Sequence, residues 1–507
     1  MAIPTSTLIT FIAYLIGMLA IGFWAWRKTD DLSDYILGGR GLNPSVTALS
    51  AGASDMSGWL LLGLPGAIYI GGLSEVWIGL GLIAGAYLNW KLVAHRLRVY
   101  SEVANNALTM PDYFEYRFHD GSKLLRVFSA LVILVFFTFY TSSGMVAGAT
   151  LFKNSFAMDY EIALAVGAIV IVSYTFLGGF LAVSWTDFFQ GILMLIALVV
   201  APVTVIYELG SLDAILAGVR EVDPARADWT AGKSWAAFLL SGGFVSLMAW
   251  GLGYFGQPHI LVRFMAIQSG RGIPTARRIG MTWMIMALIG SILVGFTGIG
   301  WFAEQPGHAA QLNNDPEAVF ILMTQVIFNP WMAGFLLAAI LAAVMSTIDS
   351  QLLVSSSALT EDFYKVFLRK EASQKELVWV GRAAVLGIAL IAVYIAMDPQ
   401  SRVLELVSYA WAGFGAAFGP LVLISLLWRK MTRNGALAGM LTGAVTVIIW
   451  EQNQGGIFDL YELLPGFVLA SAAILVVSLL GSGPGVEVES QFDHVDREVK
   501  KQIKGRP

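Results

Sequence analysis

The hydrophobic positions of this chain fall into long, nearly unbroken runs. Most of these runs have about the 20 residues that a helix needs to cross the hydrocarbon core of a bilayer. A spanning segment must satisfy its own backbone hydrogen bonds, so the runs predict α-helices. Thirteen spans are predicted, at residues 7–26, 45–72, 74–95, 125–150, 161–181, 186–208, 236–258, 279–302, 327–357, 378–396, 403–428, 435–450 and 463–480.

The composition indicates the same class of protein. Of 507 residues, 57% are hydrophobic and only 13% are charged, and the mean hydropathy is +0.70. A soluble protein carries about 25% charged residues. Cysteine is absent, which excludes a disulfide framework, a thiolate zinc site and an iron–sulfur cluster. The five histidines are scattered and predict no metal site.

The basic residues predict the orientation of the spans. With the N-terminus outside, five of the 31 Lys and Arg residues fall in outer loops, and the other 26 fall in inner loops and the tail. This distribution follows the positive-inside rule. The first apolar run has no basic residue before it and no cleavage site after it, so we interpret it as a retained span. The polar tail beyond residue 480 is too short for a soluble domain.

The second span contains an acidic residue, Asp55, within the stretch "SAGASDMSGWLLLGLPGA" at 50–67. A charge in mid-membrane costs about 2.5–3.5 kcal/mol. Helix packing explains the small residues around it but not the acid. Because no Lys or Arg lies deep in a predicted span, a buried ion pair is not expected. A bound cation and backbone N–H groups at a helix break remain as partners.

The same stretch predicts a break in the second helix. Residues that weaken a helix follow the acid, namely Gly58, Gly63, Pro65 and Gly66. Hydroxyls that compete with backbone hydrogen bonds surround it, at Ser50, Ser54 and Ser57. Unwinding would free carbonyl oxygens for a hard cation and N–H groups for a carboxylate.

The ninth span offers a matching polar face. Four small or hydroxylated residues share one side of the helix at i, i+3, i+4 and i+7, namely Ala343, Ser346, Thr347 and Ser350. These hydroxyls could complete an oxygen cage with the second span, or they could bond back to carbonyls of their own helix. Asp349 lies on a different face from Ser346.

The seventh span ends in "WGLGYFGQPH", where Trp250 and Tyr254 share one face. Glycines and Pro258 weaken the helix around them. The two aromatic residues are either lipid or interface anchors or a flexible wall around an apolar ring. Tyr140 in the fourth span raises the same question. Asp187 lies near the inner end of the sixth span, where helix capping is the simpler interpretation.

A nucleotide-driven machine is not predicted. The stretch "ADWTAGKSW" has Ala227 where a Walker A loop needs its first glycine, and it lies in an outer loop. Transport, if that is the activity, must therefore run on an ion gradient.

Several motifs together resemble the sodium–solute symporter family, in its proline-transporting branch. These motifs are "YILGGR", "SAGASDMSGWLL", "FLAVSWTD", "GLGYFGQPHI", "AAVMST", "SYAWAGFGAAFGP" and "TRNGALAGM". The resemblance implies an all-α membrane protein of 13 helices with a LeuT-like inverted repeat of five plus five helices. The implied division is 1–44 for the first helix and its loop, 45–208 and 209–428 for the repeats, 429–480 for two further helices and 481–507 for a cytoplasmic tail.

The resemblance also implies binding residues. Sodium is expected between the carbonyls of Ala53, Met56 and Ala343 and the hydroxyls of Ser346 and Thr347. The substrate pocket is expected to draw on Ser57, Gly58, Trp59, Tyr140, Trp250, Tyr254, Gln257 and Pro258. The predicted sodium-coupling residues are Asp55, Asp187 and Arg40. For Arg40, the alternative is a plain positive-inside anchor. Asp349 stands where a small neutral residue is expected, which leaves open whether only one cation binds.

The expected activity is transport and not catalysis, because no nucleophile–histidine constellation is present. Na+ entry is expected to drive uptake of L-proline across the bacterial cytoplasmic membrane. Na+ is the co-transported ion, and no organic cofactor, nucleic acid or obligatory protein partner is expected. The alternatives are another small solute, such as pantothenate, a sugar or sialic acid, and a solute-sensing membrane module, which the short tail disfavours.

Overall fold

The computed structural model describes residues 5–26, 36–175 and 179–504. These residues form an all-α protein, in which ten helices are long and apolar enough to cross a membrane. The helices and helix segments at the predicted spans are Thr5–Trp26, Pro44–Met56, Gly63–Gly71, Val76–Leu88 with its continuation Ala94–Val103, Leu124–Phe156, Tyr160–Thr175, Phe180–Leu209, Gly242–Ala249, Pro258–Ala266, Ile273–Phe302, Pro330–Ser357, Gln374–Ile395, Val403–Leu427, Arg433–Glu451 and Leu463–Leu480.

Three predicted spans differ from simple long helices. The second and seventh spans are each split into two helices, and the fifth span is the short helix Tyr160–Thr175. The predicted boundary between the fifth and sixth spans was wrong, because the sixth helix begins at Phe180 and not at residue 186. Part of that boundary, at 176–178, lies outside the described residues.

The spans form a buried centre and a lipid-facing periphery. The ninth helix, Pro330–Ser357, and the eleventh, Val403–Leu427, are 83% buried over their most apolar windows, whereas the first helix is 22% buried. Charged and hydroxylated side chains are tolerated in the central helices because protein surrounds them. The buried centre therefore holds the elements that the sequence singled out.

The loop after the eighth span contains two helices that the hydropathy pattern does not predict, Pro306–Asn314 and Val319–Ile327. Between them, the buried carboxylate of Glu317 accepts the main-chain N–H groups of Val403 and Leu404, both at 2.9 Å. An acid at a helix N-terminus satisfies free N–H groups and the helix dipole. The loop thereby caps the eleventh helix.

The tail also contains a helix that was not predicted, Val486–Lys504. It forms ion pairs with basic residues of predicted inner loops, Arg96 to Asp496 at 2.9 Å and Arg429 to Asp493 at 2.9 Å. The tail therefore lies on the same side of the molecule as those loops.

Candidate functional site

The second span is interrupted where its sequence predicts a break. Its first helix, Pro44–Met56, ends at Ser57, whose φ of 51° is left-handed and stops the helical ladder. A 3₁₀ turn, Gly58–Leu60, follows before the helix resumes. A β-carbon on Gly58 would lie 2.7 Å from the Cβ of Ala147, so the neighbouring helix leaves room only for glycine. Local sequence and close packing together fix the break.

Asp55 lies two residues before Ser57, at the end of this helix, and is 7% exposed. Its Oδ2 accepts the hydroxyl of Tyr254 at 2.5 Å, and its main-chain carbonyl accepts the hydroxyl of Tyr140 at 3.0 Å. In the described part of the chain, this carboxylate has no basic partner. The sequence analysis did not anticipate a tyrosine partner. The acid therefore links the second span to the seventh through the tyrosine hydroxyl.

Four of the predicted sodium-binding oxygens are close together. The Ser346 hydroxyl donates to the carbonyl of Ala53 at 2.9 Å and to that of Ala343 at 3.1 Å, and the Thr347 hydroxyl donates to Ala343 at 3.1 Å. The hydroxyls therefore bond back to their own helix, and Ser346 also reaches the second span. Met56, the fifth predicted ligand, is the last residue of the first helix. Carbonyl and hydroxyl oxygens suit a hard cation.

The seventh span is the second interrupted helix. Helix Gly242–Ala249 passes into a 3₁₀ segment, Trp250–Gly256, and Pro258 then starts the helix Pro258–Ala266. The predicted end of this span at residue 258 was wrong, because the proline lies in its middle. Over the 3₁₀ segment, the i→i+4 hydrogen bonds of an α-helix give way to i→i+3 bonds of poorer geometry, which leaves its carbonyls open to further donors.

An apolar cavity of about 10 Å³ lies between the two breaks, close to the size of one water molecule. Its lining is Asp55, Met56, Trp59, Leu82, Tyr140, Trp250, Tyr254, Val407 and Trp411. The rings of Trp59 and Trp250 stack with centroids 5.6 Å apart. A second cavity of about 20 Å³ shares Asp55, Met56 and Tyr254 but continues along Asn89 and Phe264. Asp55 therefore lies between two small cavities.

The structure brings half of the predicted substrate residues to the first cavity. Trp59, Tyr140, Trp250 and Tyr254 line it, whereas Ser57, Gly58, Gln257 and Pro258 do not. Of these, Gln257 donates its amide to main-chain carbonyls, and Ser57 accepts the N–H of Trp59. Sequence reasoning missed Leu82, Val407 and Trp411. The only available signal was Trp411 within "SYAWAGFG".

Asp187 is fully buried, and the helix-capping interpretation was wrong. It lies two turns inside its helix, where its Oδ2 accepts the hydroxyl of Ser50 at 2.7 Å and Arg263 Nη2 at 3.2 Å. The expectation that the spans contain no deep basic residue was also wrong, because Arg263 is fully buried. Its helix lies beyond the predicted end of the seventh span. The guanidinium also donates to Ser350 at 2.6 Å.

Asp349 belongs to the same buried region. Both of its carboxylate oxygens are buried without a hydrogen-bond partner among the described residues. Asp187 and Arg263 are its charged neighbours. The cluster therefore contains two acids and one base, all enclosed by protein.

Arg40 holds the loop after the third span to the seventh span. Its guanidinium donates to the carbonyl of Met265 at 2.7 Å, the hydroxyl of Ser101 at 2.9 Å and the carbonyl of Ala107 at 2.8 Å. It does not reach the sodium-binding oxygens, so any role in coupling acts through this loop. A side chain with three such partners is more than a positive-inside anchor.

A glycine contact that positions the seventh span gives a stability prediction. A β-carbon on Gly85 would lie 2.0 Å from the carbonyl oxygen of Gly251, whereas one on Gly79 of the same helix would lie 3.4 Å from Ile292. Gly85→Ala is therefore expected to destabilise the protein by about 1–3 kcal/mol through overpacking. Gly79→Ala should be neutral or slightly stabilising, because alanine favours the helix. Thermal unfolding of both purified variants measures the difference, and equal melting temperatures would contradict the contact.

Comparisons with known proteins give a consistent result. The model of the sodium:solute symporter family matches residues 35–443. The sodium/proline symporter of Escherichia coli K12 is 58% identical over 496 residues, which are 98% of this chain and 97% of the relative. A high-affinity proline transporter of Bacillus subtilis is 53% identical over 477 residues, covering 94% of this chain and 98% of the relative.

A solved structure has the same fold. A Na+-coupled sialic acid symporter, captured in a substrate-bound outward-open state, matches with a TM-score of 0.77. The match covers 95% of this chain and 99% of the other, at 17% sequence identity. At that identity, the likeness concerns the fold alone.

Proposed function

The chain belongs to the sodium:solute symporter family, and we propose that it couples the entry of Na+ to the uptake of L-proline. The near full-length relatives named for proline transport support this substrate. The observation that carries the mechanism is the pair of interrupted helices that meet at Asp55. The chain is a multi-pass membrane transporter and not an enzyme.

Sodium is assigned to the oxygens shared by the second and ninth spans. Ala53, Ala343, Ser346 and Thr347 supply two carbonyls and two hydroxyls that already lie within hydrogen-bond reach of one another. Met56 is the fifth proposed ligand. A cation there attracts all these oxygens and holds the two helices together. Asp55, two residues before the break at Ser57, supplies the negative charge that offsets the cation.

Proline is assigned to the cavity beside the break. Its ring would pack against the faces of Trp59 and Trp250, and its carboxylate would accept main-chain N–H groups of the interrupted second span. A cavity of about 10 Å³ cannot hold proline, so the Trp59–Trp250 stack must open when the substrate enters. The largely apolar lining favours an amino acid with a hydrocarbon ring over a sugar.

Coupling follows because the second span contributes to both the sodium site and the proline cavity. Sodium fixes this span against the ninth and thereby shapes the proline cavity, and proline must tighten sodium binding by the same factor. Alternating access then requires one group of helices to rock around the site. One charge crossing about 100 mV supplies about 2.3 kcal/mol, and a tenfold sodium gradient adds about 1.4 kcal/mol. Together they support accumulation of several hundred-fold.

The repeat boundaries and orientation are part of the proposal. Residues 45–208 and 209–428 form the two repeats, each with a broken first helix, while 1–44, 429–480 and 481–507 are additions. The N-terminus lies outside, and the tail helix lies in the cytoplasm with the basic loops that it contacts. The membrane is the bacterial cytoplasmic membrane.

Uptake of labelled L-proline into proteoliposomes tests the function. An inward Na+ gradient is expected to drive accumulation above the external concentration, while an equal K+ gradient is not. Excess unlabelled proline should block uptake, and pantothenate or sialic acid should not. Binding without accumulation would instead identify a sensor, and accumulation of another solute would overturn the substrate assignment.

Trp250→Ala tests the pocket separately from the ion site. Loss of the stacked ring is expected to raise the proline dissociation constant by at least about tenfold. Sodium binding measured without proline should change much less. Trp331→Ala, at an exposed tryptophan of the ninth span, is the matched control and should change neither constant. An unchanged proline affinity in Trp250→Ala would remove this residue from the pocket.

A further inference from the structure

The unwound part of the seventh span keeps its backbone paired through side chains. The carbonyl of Trp250 accepts the indole N–H of Trp411 at 2.8 Å, and the carbonyl of Tyr254 accepts the amide of Asn89 at 2.9 Å. The carbonyl of Gly253 accepts the amide of Gln257 at 3.0 Å. Two of these donors come from other spans, because Asn89 lies in the third and Trp411 in the eleventh.

These bonds are shielded from bulk water. Asn89 is 1% exposed and Trp411 is 3% exposed. A buried carbonyl that loses its donor bears the full desolvation cost. The two side chains therefore hold carbonyls of the 3₁₀ segment from neighbouring spans, and they act at two of the residues whose rings line the substrate cavity.

Close packing fixes the register of this arrangement. A β-carbon on Gly253 would lie 1.9 Å from Trp411 Nε1, and one on Gly256 would lie 2.1 Å from the carbonyl oxygen of Phe414. The 3₁₀ segment thus lies directly against the eleventh span. A displaced Trp411 would leave both the carbonyl of Trp250 and the glycine contact without support.

We propose that Trp411 and Asn89 are positioning residues for proline binding, which set the places of Trp250 and Tyr254 through their main-chain carbonyls. This inference rests on the function proposed above. Trp411 acts on Trp250, which stacks on Trp59. Asn89 acts on Tyr254, whose hydroxyl donates to Asp55. Trp411 therefore positions one ring of the substrate cavity. Asn89 positions Tyr254, which contributes both to the cavity and to the hydrogen bond with Asp55.

Trp411→Phe removes the indole N–H and keeps an aromatic ring. Equilibrium binding of labelled L-proline in saturating Na+ is expected to weaken by about tenfold. The matched control is Trp283→Phe, because Trp283 is also buried and its indole donates to a carbonyl, that of Gly191, at 2.8 Å. This control should bind proline within about twofold of the parent.

Asn89→Ala is the second variant, and it distinguishes the two roles. It is expected to weaken proline binding and also Na+ binding measured without proline. The reason is that Tyr254 both lines the proline cavity and donates a hydrogen bond to Asp55. Trp411→Phe should leave Na+ binding within about twofold of the parent. Equal effects of Trp411→Phe and Trp283→Phe on proline affinity, with unchanged Na+ affinity in Asn89→Ala, would overturn the proposal.

A measurement without either ligand separates this inference from the proposed function. The chain has no cysteine, so Leu252→Cys gives a single thiol inside the 3₁₀ segment. Adding Trp411→Phe or Asn89→Ala is expected to raise the alkylation rate of this thiol by several-fold, and adding Trp283→Phe is not. Faster alkylation supports the positioning role even if proline proves not to be the substrate. Unchanged rates in both variants would refute it.

Discussion

Asp55→Asn is expected to abolish sodium-stimulated proline uptake, with a loss of at least about 100-fold. Asparagine keeps the shape of the side chain and an oxygen for the Tyr254 hydroxyl, so only the charge is removed. A negative charge about 5 Å from a cation contributes about 3 kcal/mol at an effective dielectric constant of about 20. Asp55→Asn loses this stabilisation in every conformational state that binds Na+.

Uptake in proteoliposomes and direct Na+ binding measure this effect. Glu405→Gln is the matched control, because it neutralises an exposed acid in the first turn of the eleventh span. The control should transport proline at the rate of the parent protein. Asp55→Asn should remain folded and should melt at the same temperature as the parent. Normal sodium-driven uptake by Asp55→Asn would show that this carboxylate does not serve coupling.

The sequence predicted the interrupted helices because their cause is local. Glycine and proline weaken a helix wherever they occur, and "MSGWLLLGLPG" and "WGLGYFGQP" concentrate them in mid-membrane. The broken second and seventh spans confirm this interpretation. Asp55 likewise indicates a functional site, because a charge at that depth in the membrane is energetically costly.

The partners of these residues could not be predicted in the same way. Tyr254 and Asp55 are 199 residues apart, and hydrophobic periodicity does not say which helices touch or in what register. The same limit explains why the sequence predicts a helix cap at Asp187. Its partner Arg263 follows Pro258, where the hydropathy pattern predicts the end of a span, although a helix continues beyond it. Asn89 stands alone among apolar residues, and the motif that contains Trp411 does not indicate which carbonyl its indole contacts.

The hydropathy pattern also fails to predict helices at the two ends of the molecule. The tail helix and the loop helices are polar or short, so hydropathy does not distinguish them from irregular loops. Their contacts nevertheless reach the transport elements. Glu317, in the loop after the eighth span, caps the eleventh helix, and that helix contains Trp411. Because the indole of Trp411 donates to the carbonyl of Trp250, this loop can influence the position of Trp250.

Arg263→Met is expected to lower the free energy of unfolding by about 3–5 kcal/mol, the usual cost of removing one partner of a buried ion pair. Arg263 is enclosed together with Asp187 and Asp349, so the variant leaves two buried carboxylates without a base. Methionine fills much of the same volume, which confines the change to charge and hydrogen bonding. The yield of folded protein and its melting temperature in detergent report the loss.

The double variant Asp187→Asn with Arg263→Met separates charge from packing. It removes one acid and one base, so the cluster recovers the formal charge of the parent, and replacing both partners of a buried pair is often nearly neutral. We expect it to regain most of the lost stability. Arg271→Met, at an exposed arginine just before the eighth helix, should have little effect. If Arg263→Met were as stable as this control, the ion pair would contribute nothing to holding the sixth and seventh spans together.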